Sequence, residues 1–272
     1  MQKELYITWL GINGFIFEYR DFTLLLDPCV TRGDAAELSE PALVKKYISC
    51  ADAIVAGHSH WDHICDVPDI IRNTGAVLYG SETSCNIARY LDTPESNLHE
   101  VSYGEHVQLT PEISIDFLES VHMQPCSSDF SYSSIPEKIE TRSDFACGKV
   151  FAILLRIGNI SILNIGSANL IPETLNGIVC DYLLCGVSLW KSGFPELVAD
   201  NIDFKYFVPT HHDNFKEYPL TQFKLRDDFI RFRREMDVIK PGTEYMELFP
   251  LERTLLIEPN KRYMTATKGI AV

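Results

Sequence analysis

The stretch Gly57-His58-Ser59-His60-Trp61-Asp62-His63 constrains this chain more than any other, because three imidazoles and a carboxylate crowd into it. Just before it, Ala53-Ile54-Val55-Ala56 is a short apolar run that predicts a buried strand. Just after it, residues 66–73 carry a helical pattern at Val67, Ile70 and Ile71, with Pro68 admissible in a first helical turn. The cluster therefore sits on a strand-to-helix connection, where rigid elements on both sides can hold converging side chains. In extended backbone, residues two apart point the same way, so His58 and His60 can bind one ion. Asp62 and His63 fall past the bend and point elsewhere, which suits a second ion. Three unrelated surface histidines would be the plainer reading. Against it, the chain has only 8 histidines in 272 residues, and scatter does not gather them beside an aspartate.

Charge and composition narrow the function classes. With 38 acidic against 24 basic residues, the formal net charge is −14. Such a surface repels phosphate backbones, so a small-molecule substrate is expected rather than nucleic acid. No apolar run is long enough to cross a bilayer, and no membrane partner is expected. Residues 1–10 read as a strand with charges at Lys3 and Glu4, so no signal peptide is expected and the cytoplasm is the default location. The 8 cysteines form no C-x-x-C pair, which argues against a zinc ribbon; they read as reduced core residues. Cys126 stands apart as a candidate soft ligand or nucleophile, four residues beyond His122. The length suits one domain over residues 1–272. Oligomeric state is not legible.

Along the chain, strands are expected at residues 5–10, 14–19 and 23–26, then a short helix at 41–47 before the histidine cluster. A strand at 76–79, a helix at 81–91 and strands at 107–109 and 113–118 follow, the last leading into Glu119-Ser120-Val121-His122. His99 and His106 lack ligand-type neighbours in useful spacing and read as structural. Residues 123–146 are irregular and rich in serine; a loop this long inside a compact domain is usually functional, and it is expected to cover the cleft. Residues 149–157 and 160–165 predict a hairpin turning at Gly158-Asn159, ending in Gly166-Ser167-Ala168-Asn169. A strand at 180–185, a helix at 195–201 and a strand at 206–208 lead into Pro209-Thr210-His211-His212-Asp213-Asn214-Phe215. A helix at 221–236 and edge strands at 243–248 and 253–257 complete the chain.

The run His58-Ser59-His60-Trp61-Asp62-His63 resembles the H-x-H-x-D-H signature of the metallo-β-lactamase superfamily. Thr8-Trp9-Leu10-Gly11-Ile12-Asn13-Gly14-Phe15 is similar to the opening of its lactonase-like members, with Ile12 where they often carry a histidine. The resemblance implies an α/β fold of the four-layer αββα sandwich type, with metals at one edge of the paired sheets. It implies His122 as the third histidine of a first metal with His58 and His60. A second metal would take Asp62, His63 and His211, the last by likeness to the P-x-H-x-x-x-F segment. Asp27, ending the strand Leu24-Leu25-Leu26, matches an aspartate that hydrogen-bonds the ligand loop. Ser167 stands where the family carries a metal-bridging aspartate, so the second ion should be weakly held. Asp213 is a further carboxylate on the His211 loop.

This set favours zinc, in one or two ions, with iron or manganese as the other candidates. Zinc lowers the pKa of its water to about 7, so a metal-bound hydroxide could attack a small ester, lactone, amide or phosphodiester. Asp62 would orient the water, and His212 is the candidate proton donor to the leaving group. Two other readings stand beside the hydrolase: an iron-dependent oxidoreductase of the same fold, and a metal-binding protein without turnover.

Overall fold

The structure, a computed structural model, describes residues 4–32, 38–213 and 227–258. Two seven-stranded sheets face each other. In the first, β1 (Leu5–Gly11), β2 (Gly14–Tyr19) and β3 (Phe22–Leu26) form an antiparallel meander. Then β4 (Ala53–Val55), β5 (Val77–Gly80) and β6 (Leu98–Glu100) add on in parallel. Helices α1 (Pro41–Tyr47), α2 (Trp61–Ile64), α3 (Val67–Thr74) and α4 (Glu82–Tyr90) make the crossovers. The second sheet repeats the scheme, with β7 (Glu105–Thr110), β8 (Ile113–Ser120), β9 (Val150–Ile157) and β10 (Ile160–Ile165) antiparallel. Parallel β11 (Ile178–Gly186), β12 (Ile202–Thr210) and β13 (Glu244–Tyr245) follow, spaced by α5 (Pro172–Leu175), α6 (Phe194–Asn201) and α7 (Asp227–Ile239). Strand β14 (Arg253–Leu256) returns to pair with β1.

Strand periodicity builds the layers. Leu5, Ile7 and Trp9 of β1 and Phe151, Ile153 and Leu155 of β9 all lie in one buried cluster between the sheets. Their alternate neighbours, Leu10 on β1 and Ala152 and Leu154 on β9, lie in two outer clusters under the helices. Period two thus assigns each strand residue to the inner or the outer core, as a sheet covered on both faces requires. The result is the αββα sandwich expected from the sequence. No helix among the described residues is long and apolar enough to cross a membrane.

Most expected elements recur within a residue or two. Strand β12 runs from Ile202 to Thr210, longer than the expected 206–208, because β11 pairs with it along this whole length. Conversely, the edge strand expected at 243–248 pairs only at Glu244 and Tyr245. Residues 221–226 and Phe215 lie outside the described residues. The hairpin turn at Gly158 takes a φ of +60°, and a Cβ there would also come within 2.7 Å of the Tyr19 hydroxyl. Only glycine serves both demands. All eight cysteines are free thiols, and Cys50 is exposed rather than in the core.

Phe117, fully buried between the sheets, meets Phe151 edge-to-face with centroids 5.3 Å apart. Phe117→Ala should therefore cost about 3–5 kcal/mol of stability. Urea unfolding followed by circular dichroism would measure it.

Candidate metal centre

The site gathers at the C-terminal ends of β3, β4, β8, β10 and β12, where open α/β sheets leave a crevice. Its foundation is Asp27, at the end of β3 and without exposure to water. Oδ1 accepts the Gly57 N–H at 2.6 Å, and Oδ2 accepts Asn13 Nδ2 at 2.7 Å. His63 Nδ1 lies 2.9 Å from the same Oδ2. A Cβ on Gly57 would come within 3.0 Å of that carboxylate, so the histidine loop begins with the one residue that lets it approach. The loop is then tied to the second sheet, with Phe151 N–H donating to Gly57 O at 2.7 Å.

Two groups of ligand-type side chains result. The nitrogens of His58, His60 and His122 all lie within 4.8 Å of one another, and so do the ligand atoms of Asp62, His63 and His211. His58 and His60 share extended backbone leading to α2, where His60 is the N-cap. His58 Nε2 faces His60 Nδ1 at 3.1 Å. A tetrahedral shell of 2.0–2.1 Å zinc–nitrogen bonds has edges of about 3.3–3.4 Å, close to this spacing. Asp62 and His63 lie in the first turn of α2 and project to the other group. His211 Nε2 approaches Asp62 Oδ2 at 3.5 Å, and His63 Nε2 approaches it at 4.0 Å.

Hydrogen bonds to carbonyl and carboxylate oxygens fix which nitrogens face inward. His60 Nε2–H donates to Ser127 O at 2.9 Å, which leaves Nδ1 as the lone pair beside His58. His122 Nδ1–H donates to Met123 O at 2.9 Å and leaves Nε2. His63 directs Nδ1 at Asp27 and leaves Nε2. Metal-binding histidines are oriented in this manner, and the donor set therefore fits one or two metal ions.

Electrostatics agree for the first group. Burial, with the neighbouring imidazoles, holds His58 well below the usual histidine range, and burial brings His60 down to about 4. Burial also lowers His122. Those three are neutral at neutral pH, the form a cation needs. Burial works to raise Asp62, but the imidazoles of His63 and His211 outweigh it and hold the carboxyl far below its ordinary range. Burial works to lower His63, but the Asp27 and Asp62 carboxylates leave it raised.

His211 owes its position to the turn between β1 and β2. Its N–H donates to Ile12 O at 2.7 Å, and Ile12 N–H donates to Asp213 Oδ1 at 2.9 Å. Ile12 thus serves through its backbone. Asp213 is buried, with Oδ2 3.9 Å from Arg32 Nη2, and it holds the turn rather than reaching the ligand groups. His212 needs correction. It is buried, stacks on Trp9 with centroids 5.2 Å apart and donates from Nε2 to Pro209 O at 3.2 Å. It does not line the cavity, so it is no proton donor to a leaving group; side chains of consecutive residues at a strand end diverge, and the second one packs into the core.

The two groups open into one cavity of about 460 Å³. Residues 123–146 form part of its wall through Met123, Pro125, Ser127, Ser128, Arg142 and Ser143. Ser167 also lines it, but its Oγ accepts the Met123 N–H at 3.0 Å. That bond positions the residue whose carbonyl orients His122. Cys126 Sγ sits 3.7 Å from His60 Nε2, the nitrogen turned away from His58. His99 and His106 lie elsewhere, beside Glu105 and Asp116. The sequence reading missed Asn13, which carries Asp27 on one side and accepts Thr210 Oγ1–H at 3.0 Å on the other. An asparagine between two glycines in an apolar stretch was its only signal.

Asp27→Asn keeps the shape but removes the charge that holds His63. Metal affinity should fall by about 10–100-fold, the usual effect of losing such a partner. Competition with a chromogenic chelator would measure it, and unchanged affinity would show that Asp27 does not support a ligand.

Comparisons with known proteins agree with this geometry. A family model described as a beta-lactamase superfamily domain matches residues 6–122. A UPF0173 metal-dependent hydrolase of Christiangramia forsetii is 32% identical over 98 residues, covering 36% of this chain and 40% of the relative. The chain thus spans less than half the length of that relative. The UPF0173 metal-dependent hydrolase YtkL of Bacillus subtilis is 25% identical over 217 residues, 77% of this chain and 86% of the relative. Among solved structures, Igni18, a metallo hydrolase of Ignicoccus hospitalis, superposes with a TM-score of 0.59 at 17% identity, covering 94% of this chain and 99% of that one. The fold is thus that of this metallo hydrolase, and residues 6–122, through His122, carry the sequence match to the beta-lactamase superfamily domain.

Proposed function

We propose that this protein is a metal-dependent hydrolase of a small ester, lactone, amide or phosphodiester. The observation that carries the reading is the pair of ligand groups, His58/His60/His122 and Asp62/His63/His211, opening into one cavity. Zinc suits this nitrogen-rich set. Zinc bound there would polarise a carbonyl or phosphoryl oxygen and make water nucleophilic at neutral pH. The chain's own part is positional. Asp62 stays ionised and can accept a hydrogen bond from water, which orients it toward a substrate in the cavity. Ser127 O, Met123 O and Asp27 hold three imidazoles in a fixed tautomer, so no reorganisation is needed when substrate arrives.

A second reading rests on the group Asp62/His63/His211. Two histidines and one carboxylate are also the donor set of non-haem iron oxygenases. Metal analysis of protein purified without added metal separates the two. Zinc with hydrolysis of activated esters supports the hydrolase; iron with oxygen uptake overturns it.

His60→Ala should lose at least one ion per chain and the hydrolytic activity, with circular dichroism unchanged, because the packed sheets do not depend on the metal. Metal content equal to wild type would rule out this cluster as the site.

Ser167 supplies no charge where a bridging carboxylate would stand, and Asp62 is the one carboxylate among the proposed ligands. Two divalent ions about 3.5–4 Å apart repel unless anions lie between them. Wild type should therefore bind one ion tightly and a second weakly, and Ser167→Asp should strengthen the weaker site. A metal titration of both forms reads stoichiometry and the weaker constant; two equally tight ions in wild type would refute the assignment.

A further inference from the structure

We infer that Arg142 is an anion-recognition residue of the cavity, so that the substrate carries a carboxylate or phosphate group away from the bond that is cleaved. The inference rests on the hydrolase reading of the same cavity and adds the chemical class of what enters it.

Among the described residues lining the cavity, Arg142 is the one lysine or arginine, and Asp62 is the one carboxylate. The guanidinium carbon lies over the Trp61 indole, 3.6 Å from the ring centroid. Trp61 is itself fixed, with Nε1–H donating to Leu38 O at 2.8 Å. The backbone under Arg142 is equally fixed. Thr141 caps a 3-10 turn at Arg142–Asp144, and Asp144 accepts the N–H groups of Glu140 and Thr141 at 2.9 and 2.7 Å. Asp144 is thereby committed to backbone and leaves the neighbouring guanidinium alone. Phe145, fully buried, pins the end of the turn.

Arg142 has no carboxylate partner among the described residues, and its Nε and Nη2 are buried without a hydrogen-bond partner. The other cations that could have served the cleft are placed differently. Lys138 pairs with Glu140 at 2.6 Å, and neither it nor Lys191 lines the cavity. A guanidinium stripped of part of its hydration, held by one aromatic face, is costly unless something completes its shell. It attracts an anion more strongly than a fully hydrated cation does, so a carboxylate or phosphate that reaches it gains a charge-assisted contact. In a chain of net charge −14, an anion is otherwise repelled, so this local cation decides whether it can stay.

The test titrates zinc-loaded protein calorimetrically with dicarboxylates from succinate to pimelate, each beside its monoamide. Phosphonocarboxylates of matching length run in parallel, and every sample is analysed for metal. One acid group can meet the metal and the other Arg142. At the best length the diacid should bind about tenfold more tightly than its monoamide, the ratio that one charge-assisted contact of about 1.4 kcal/mol gives. Arg142→Gln should abolish that advantage without changing metal content, and Arg142→Lys should keep part of it. A larger gain for phosphonate ends identifies a phosphate-bearing substrate, and a larger gain for carboxylate ends the alternative. Diacid and monoamide binding alike at every length, or an advantage that survives in Arg142→Gln, overturns the inference. Should the protein hold no metal, the hydrolase reading fails separately. Arg142 is then judged from methylphosphonate binding, which must weaken about tenfold in Arg142→Gln by the same reasoning.

Discussion

A carboxylate with no access to water must have its charge compensated where it stands, and Asp27 meets that demand with the parts the site is made of. Its two oxygens take Gly57 N–H and Asn13 Nδ2–H and face His63 Nδ1. Burying an ion is tolerable only when its acceptor sites are filled. The same contacts therefore compensate the charge and set the geometry. Through Asn13 the network reaches Thr210 at the end of β12, next to His211. One buried charge thus couples the first sheet, the histidine loop and the second sheet, and the relative placement of the two ligand groups follows from it.

The strands were legible because they follow periodicity, whereas their αββα arrangement came from the resemblance. A sheet covered on both faces needs near-continuous apolar strands, and stretches such as Leu24-Leu25-Leu26 and Val150–Ile157 have that pattern. The histidine cluster was legible because its residues are close in sequence. His122 and His211 come from distant strand ends and could be picked out only by their resemblance to a known order. His212 was misjudged because sequence does not say which of two adjacent histidines turns inward. At His211 the backbone takes a φ of +57°, and the Ile12 carbonyl accepts its N–H. That contact lies about two hundred positions away and has no local signal.

Asp213 and Ser167 show a related gap. Ser167 was placed by resemblance where a bridging aspartate would stand, and Asp213 by its loop; neither position revealed that the side chain accepts a backbone amide. Asp213 accepts from Ile12 and Ser167 from Met123. Buried amides need acceptors as much as metals need donors, and a side chain in a loop serves whichever it meets. Residue type alone does not decide between them.

The segment 123–146 follows from the same accounting. Its first residues supply two carbonyls, Met123 O and Ser127 O, to the imidazoles of His122 and His60. Further along, it presents Arg142 to the cavity. A loop that only covered the cleft could be shortened without cost to the ligands. This one cannot, because removing Ser127 would leave His60 free to choose the wrong tautomer, and a histidine protonated at the facing nitrogen cannot bind a cation. Ligand orientation and part of the cavity wall are therefore carried by one stretch of chain. Sequence changes there alter both together, whereas changes in the strands beneath leave the ligand groups standing on Asp27.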